Sequence, residues 1–236
     1  MKILLTSGGT KVPIDDVRFI TNFSSGKFGS KIATAALLAG HQVTHLRNID
    51  APTPFEFKVD LLHARGQDYA SRLDEAHCFS RQYMSKYLEE KFDTYDQYFS
   101  QMEKLCANFV YDAIILCAAV SDYKVANVVS GKINSKDGFS INLIPTEKII
   151  SKIRTWQPNT KLVGFKLLSN VDDNSLIEAA KNSIEKNNCN FVVANDLSVT
   201  FQTNKKCLFV YPDRVSLVEG FSKTVAGKII EELNHV

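Results

Sequence analysis

Lys2–Ser7 is a short apolar run that stops at Gly8-Gly9, and this opening leaves few folds available. Gly26–Ala39 follows with Phe28, Ile32, Ala35, Ala36 and Ala39 on one face at helical spacing. Ser24 or Ser25 is the expected N-cap of that helix, and Gly40 its stop. Gln42–Leu46 reads as a second strand. Strand, glycine turn, helix and strand in that order begin an open parallel α/β sheet.

The alternation then breaks. Between Asn48 and Asn108 no clear strand stands out: Pro52 and Pro54 mark a turn, and an aromatic-rich stretch follows. Phe99, Met102, Cys106 and Phe109 fall at helical spacing there, which suits a helical crossover covering the sheet or a lid over a ligand. Strands are expected again at Ala113–Cys117, Leu162–Phe165, Phe191–Ala194, Cys207–Tyr211 and Val215–Glu219. Helices are expected at Glu147–Trp156, Asn174–Asn187 and Ser222–Leu233. Phe139, Ile141 and Leu143 alternate with period two, as one arm of a hairpin does. The expectation is a single α/β domain over residues 1–236, a doubly wound, mostly parallel sheet. It carries a helical insertion at about 48–108 and a β-hairpin flap at about 119–145.

Composition narrows the function. Lys plus Arg is 28 against 26 for Asp plus Glu, a net charge of +2, which gives no argument for nucleic acid as a partner, and none is expected, but leaves room for a local cationic pocket aimed at phosphates. No apolar run approaches the roughly 20 residues of a membrane span, and the N-terminal run is too short for a signal-peptide core. The five cysteines form no C-x-x-C pair, which suits a reduced cytoplasmic protein with small buried thiols. His41 and His45 straddle the start of a strand and should face apart, so no metal site is expected.

In an open α/β sheet, ligands bind beyond the carboxyl ends of the strands, and four segments fall there. The first runs from Gly8-Gly9 to Asn22-Phe23-Ser24-Ser25-Gly26-Lys27. It is no dinucleotide fingerprint, since G-x-G-x-x-G is absent. It is no P-loop, since Phe28 follows Gly26-Lys27. Free N–H groups and hydroxyls at a helix N-terminus still make an anion seat, although a plain capped helix would look the same. The second is Ala118-Ala119-Val120-Ser121-Asp122-Tyr123, where small residues let a base approach and Asp122 can accept hydrogen bonds. A simple turn is the alternative. The third, Gly131-Lys132-Ile133-Asn134-Ser135-Lys136, puts a lysine on the flap. The fourth holds Lys181 and Lys186 on a helix, where they also suit the helix dipole, and then Ala194-Asn195-Asp196. Together they suit a nucleoside triphosphate and a phosphorylated substrate.

Ser7-Gly8-Gly9-Thr10 followed by Asp16-Val17-Arg18-Phe19-Ile20-Thr21-Asn22-Phe23-Ser24-Ser25-Gly26-Lys27 resembles the opening of the phosphopantothenate–cysteine ligases. The resemblance continues through Ala118–Tyr123, Lys132-Ile133, Val163-Gly164-Phe165-Lys166 and Val193–Asp196, and is weakest over 48–108. It implies a Rossmann-like, usually dimeric fold and a place in coenzyme A biosynthesis. It implies a ligase that joins 4'-phosphopantothenate to cysteine through an acyl-nucleotide made from CTP or ATP with Mg²⁺.

By the same resemblance, Arg18 and Asn22 would hold the acyl-nucleotide, and Lys132 would act from the flap. Ser24, Ser25 and Gly26 would seat the substrate phosphate. Gly8, Gly9, Ala118, Ala119, Asp122, Phe165, Lys181 and Lys186 would meet the nucleotide. Lys132-Ile133-Asn134-Ser135 departs from the K-x-K-K flap of many bacterial members, which leaves CTP against ATP open. The lysines at 181 and 186 are five apart where the family usually has four, so one of them is open to reassignment. The chain starts at this motif, so no decarboxylase portion and no flavin are expected. An NAD(P)-dependent oxidoreductase is the enzyme alternative, with Asp50 as a loose candidate acid, and a non-enzymatic nucleotide sensor is the other.

Overall fold

The structure is a computed structural model that describes residues 1–56, 66–134, 138–200 and 205–236. Strand β1 (Lys2–Ser7) leads to a small hairpin, β2 (Lys11–Pro13) and β3 (Phe19–Thr21), then to helix α1 (Lys27–Leu38) and β4 (Gln42–Asn48). Helix α2 (Gly66–Tyr83), β5 (Tyr87–Phe92), α3 (Tyr95–Asn108) and β6 (Ala113–Leu116) follow. A flap pairs β7 (Tyr123–Val125) with β8 (Leu143–Pro145). The chain continues through α4 (Ile153–Trp156), β9 (Lys161–Leu168), α5 (Asp173–Asn187), β10 (Phe191–Asp196) and α6 (Leu197–Thr200). It closes with β11 (Lys205–Val210), β12 (Val215–Gly220) and α7 (Ser222–Glu232).

The main sheet has the order β12-β11-β10-β9-β6-β1-β4-β5. The six strands from β10 to β5 run parallel, and β11 pairs antiparallel with both β10 and β12. Strand order reverses between β1 and β6, and that switch point opens a crevice at the carboxyl ends.

Alternation along each strand feeds two cores. Ile3, Leu5, Ile115, Val163 and Phe209 meet Ile32, Ala36, Leu37, Val225 and Ile229 of α1 and α7. Leu4, Ile114, Leu162 and Val192 turn the other way onto Tyr98, Met102 and Leu105 of α3 and Leu176, Ala180 and Ile184 of α5. Burying each such aliphatic side chain contributes about 1.5–3 kcal/mol, and the side chains that the strands turn toward these two cores are apolar.

Several expectations need correction. The stretch 48–108 is helical in α2 and α3, but it also contains β5, which extends the parallel sheet beyond β4. Edge position explains why periodicity does not reveal β5. Its Glu89, Glu90 and Lys91 separate the apolar Tyr87 and Leu88 from Phe92 and leave no period-two pattern, and Glu89 is bonded by Arg47 of β4 (Nε–Oε1 2.6 Å). Neither Ser24 nor Ser25 caps α1. The N-cap is Gly26 in the left-handed region, with no side-chain hydrogen bond. Glu147–Trp156 is a 3₁₀ turn (Ile149–Lys152) running into the short α4. The expected loop from Thr10 to Phe23 contains the β2–β3 hairpin. Of the five free thiols, Cys106, Cys189 and Cys207 are buried, Cys117 is half-buried and Cys78 is exposed. Ser135 and Lys136 of the flap lie outside the described residues.

Candidate active site

The floor of the crevice is backbone. Beyond the strand ends, Ala119 N donates to Gly8 O (2.8 Å) and Thr10 N donates to Ala119 O (3.2 Å), so the loops after β1 and β6 stay side by side. Hydroxyls fix their height: Thr6 Oγ1 accepts from Ala118 N (3.2 Å), and Thr10 Oγ1 accepts from Ser121 N (2.9 Å). Gly8 and Gly26 adopt φ of 86° and 69°. A Cβ on Gly8 would lie 2.5 Å from Asn48 Cβ, and one on Gly26 only 2.3 Å from Ala51 Cβ. Both positions therefore require glycine, on conformation and on space. They bring the N-terminus of α1 directly onto the β1 turn. With no side-chain cap there, its first N–H groups and its dipole suit an anion.

Asn22 Nδ2 donates to Val120 O (3.1 Å) and so ties the β3 end to the loop after β6. Ser24 is half-buried and Ser25 exposed, both just ahead of α1. On the β6–β9 side a cavity of about 190 Å³ opens, lined by Leu116, Ala118, Val120, Asp122, Lys148 and Phe165. Phe165 packs edge-on against Phe28 of α1, with 6.2 Å between ring centroids. Asp122, expected to face a nucleotide, is ion-paired with Lys148 at the cavity rim. Sequence reasoning missed Lys148, because only the fold brings it to the loop after β6.

Arg18 and the flap backbone at Ile133, next to Lys132, are joined through Asp15. The Asp15 carboxylate is fully buried; its Oδ1 accepts from Val17 N (2.9 Å) and Arg18 N (2.7 Å), and its Oδ2 from Ile133 N (3.1 Å) and Arg18 Nη1 (2.5 Å). Burial pushes this carboxyl up, but the Val17, Ile133 and Arg18 N–H groups and the guanidinium outweigh it and hold the pKa at about 2. Lys132 itself is exposed on the flap.

Lys181 and Lys186 lie in the middle and the last turn of α5. Helix α5 starts beside the carboxyl end of β9 and runs back along the sheet, and Asn190 N then meets Leu162 O at the other edge. At 1.5 Å per residue, Lys181 is about 12 Å and Lys186 about 20 Å from Asp173 along the helix. Lys181 is exposed beside the buried Ala180, and Lys186 lies in the last turn. Asp196 acts structurally. It accepts from the Ser198 hydroxyl (2.6 Å), Val171 N (2.8 Å) and Asn170 N (3.2 Å), which hold its carboxyl at about 2 and fasten the loop after β9 to the end of β10. Asp50 is occupied by Lys11 (2.9 Å), which also pairs with Asp93 (2.8 Å). Among the described residues no group of three or more His, Cys, Asp or Glu side chains is placed to hold a metal ion, and no helix is long and apolar enough to cross a membrane.

A family profile described as the DNA/pantothenate metabolism flavoprotein C-terminal domain matches residues 1–65 and 92–236. The chain is 32% identical over 197 residues to the coenzyme A biosynthesis bifunctional protein CoaBC of Thermococcus kodakarensis, covering 83% of this chain and 41% of that protein. It is 27% identical over 255 residues to the phosphopantothenate–cysteine ligase CAB2 of Saccharomyces cerevisiae, covering 89% of this chain and 68% of that one. The chain thus spans half or less of the CoaBC proteins of Thermococcus kodakarensis and Methanocaldococcus jannaschii (41% and 50%). A solved Cab2 variant in complex with phosphopantothenate-cysteine superposes with a TM-score of 0.85 at 26% identity, over 99% of this chain and 85% of that one. A DNA/pantothenate metabolism flavoprotein from Streptococcus pneumoniae gives 0.79 at 26%, over 100% and 99%.

Proposed function

The chain belongs to the DNA/pantothenate metabolism flavoprotein C-terminal domain family, and on that premise we propose that it is a ligase joining 4'-phosphopantothenate to cysteine in coenzyme A biosynthesis. The observation that carries the proposal is the convergence at the switch point of the uncapped N-terminus of α1, Asn22 and the Ala118-Ala119 loop, with the flap bonded to Arg18 through Ile133. Its likeness to Cab2, solved with phosphopantothenate-cysteine, supports the same reading.

In the first half-reaction a carboxylate oxygen of phosphopantothenate attacks the α-phosphorus, and pyrophosphate leaves. In the second the cysteine amine attacks the acyl carbon, loses its proton and expels the nucleoside monophosphate. Lys132 would neutralise charge building on the α-phosphate oxygens. Arg18 and Asn22 would hold the acyl-nucleotide for the amine, while Ser24, Ser25 and Gly26 would seat the substrate phosphate. The cavity beside Ala118, Asp122 and Phe165 would take the base, with Gly8, Gly9 and Ala119 letting the nucleotide approach. Lys181 and Lys186 of α5 would offer further positive charge to the triphosphate.

Mg²⁺ would arrive on the triphosphate, held by phosphate oxygens and water. CTP and ATP both remain candidates, and no flavin is part of the proposal. Exposed Phe19, Phe23, Tyr123, Val128, Phe139 and Leu143 on and beside the two small ribbons suit a homodimer face. Five free thiols suit the cytoplasm. Phosphopantothenate labelled with ¹⁸O in its carboxylate tests the chemistry. One label should appear in the nucleoside monophosphate, and product formed without that transfer would overturn the acyl-nucleotide route.

A further inference from the structure

We infer that Asp15 and Asp16 are positioning residues, a two-carboxylate clamp that sets the flap so that Lys132 and Arg18 reach the same α-phosphate. The inference rests on the ligase reading above and deepens it.

The two carboxylates grip the flap on either side of Lys132. Gly131 N donates to Asp16 Oδ2 (2.8 Å), and Asp16 N donates back to Gly131 O (3.1 Å). Ile133 N donates to Asp15 Oδ2 (3.1 Å). Val129 N donates to Ile14 O (3.0 Å), which continues the same seam. Lys132 is the residue between the two grips, and its side chain is left exposed.

Asp15 Oδ2 is shared. Arg18 Nη1 bonds to it at 2.5 Å and also donates to Ile133 O (3.3 Å). One carboxylate therefore fixes the guanidinium and the flap backbone together. A carboxylate is the group that can do this, because both its oxygens are acceptors and four donors converge on it. An amide in its place has one acceptor oxygen, and its NH₂ faces other donors. Burying the charge is costly unless every lone pair is used, and here each oxygen takes two bonds.

The test combines Asp15→Asn and Asp16→Asn with Lys132→Gln, reading pyrophosphate release from phosphopantothenate and Mg·CTP or Mg·ATP without cysteine. If the clamp acts through Lys132, Asp15→Asn lowers the release rate at saturating substrate at least tenfold. In the Lys132→Gln background the further loss is several-fold smaller, because only the Arg18 arm is then left to misplace. Equal losses in both backgrounds, or no loss at all, would overturn the proposal. If Asp15→Asn does not fold, Asp16→Asn takes its place in the same cycle, and its two outcomes decide the proposal in the same way.

A second readout needs no activity: trypsin cleavage at Lys132–Ile133, followed by mass, under conditions where the rest of the chain stays folded. The clamp predicts several-fold faster cleavage in either carboxylate variant, and unchanged cleavage contradicts it. Should the wild type release no pyrophosphate with either nucleotide, the ligase reading fails, and the protease arm still decides whether the clamp exists.

Discussion

At the scale of single residues, Gly26 tolerates little change. Its φ is 69°, and a Cβ there would sit 2.3 Å from Ala51 Cβ. Gly26→Ala should therefore cost about 2–3 kcal/mol of stability, from strain and overpacking together, measured as a lowered urea midpoint. An unchanged midpoint would mean that the turn can repack. Asn22 reaches Val120 O across the crevice. If it serves the second half-reaction, Asn22→Ala spares pyrophosphate release while slowing phosphopantothenoylcysteine formation at least tenfold; loss of both steps in a folded variant would remove that role. Asn22, Gly26 and Ala118-Ala119 were legible in the sequence because each stands beside a strand end or helix start that the pattern itself marks. Asp15 and Lys148 were not, since their partners Ile133 and Asp122 lie 118 and 26 residues away.

At the scale of elements, β5 shows what periodicity alone misses. The strand is held by polar bonds as much as by burial. His45 sits fully buried between Ser7 Oγ (Nε2, 2.8 Å) and Tyr87 OH (Nδ1, 3.0 Å), linking β1, β4 and β5. Burial, helped by the Arg47 charge, pushes the His45 pKa down to about 3, so the ring is neutral in the folded chain. The unfolded chain binds that proton near pH 6.5, so this contribution to stability is complete above about 6.5 and declines as pH falls toward 3. Between pH 7.5 and 5.5 the wild type should lose about 1.4 kcal/mol more stability than a His45→Gln variant. Parallel losses, followed by urea unfolding at the two pH values, would show that His45 is not the buried neutral group described. The central strands were legible because apolar runs such as Ala113–Leu116 carry no charge, and the helices because their apolar faces repeat. An edge strand with three charged residues in six gives no such signal.

For the whole molecule, strand order is the organising fact. The reversal between β1 and β6 puts the first glycine turn, the Ala118-Ala119 loop and the α1 N-terminus at one crevice. The doubly wound class could be read from the first 46 residues, whereas the antiparallel β11–β12 edge and the β2–β3 hairpin required the structure. The β2–β3 and β7–β8 ribbons pack against one another and leave apolar side chains outside, Tyr123 and Leu143 among them. Sedimentation should give twice the 26.4 kDa chain mass at micromolar concentration, and Leu143→Asp should halve it. A monomeric wild type would overturn the dimer.

The ligase reading stands or falls on pyrophosphate release from 4'-phosphopantothenate and Mg²⁺, run with CTP and with ATP, each with and without cysteine. The account predicts release with at least one nucleotide, and multiple turnovers only when cysteine is present. No release with either nucleotide, from a folded protein that still binds one of them, would contradict it and leave a nucleotide-binding protein without ligase chemistry.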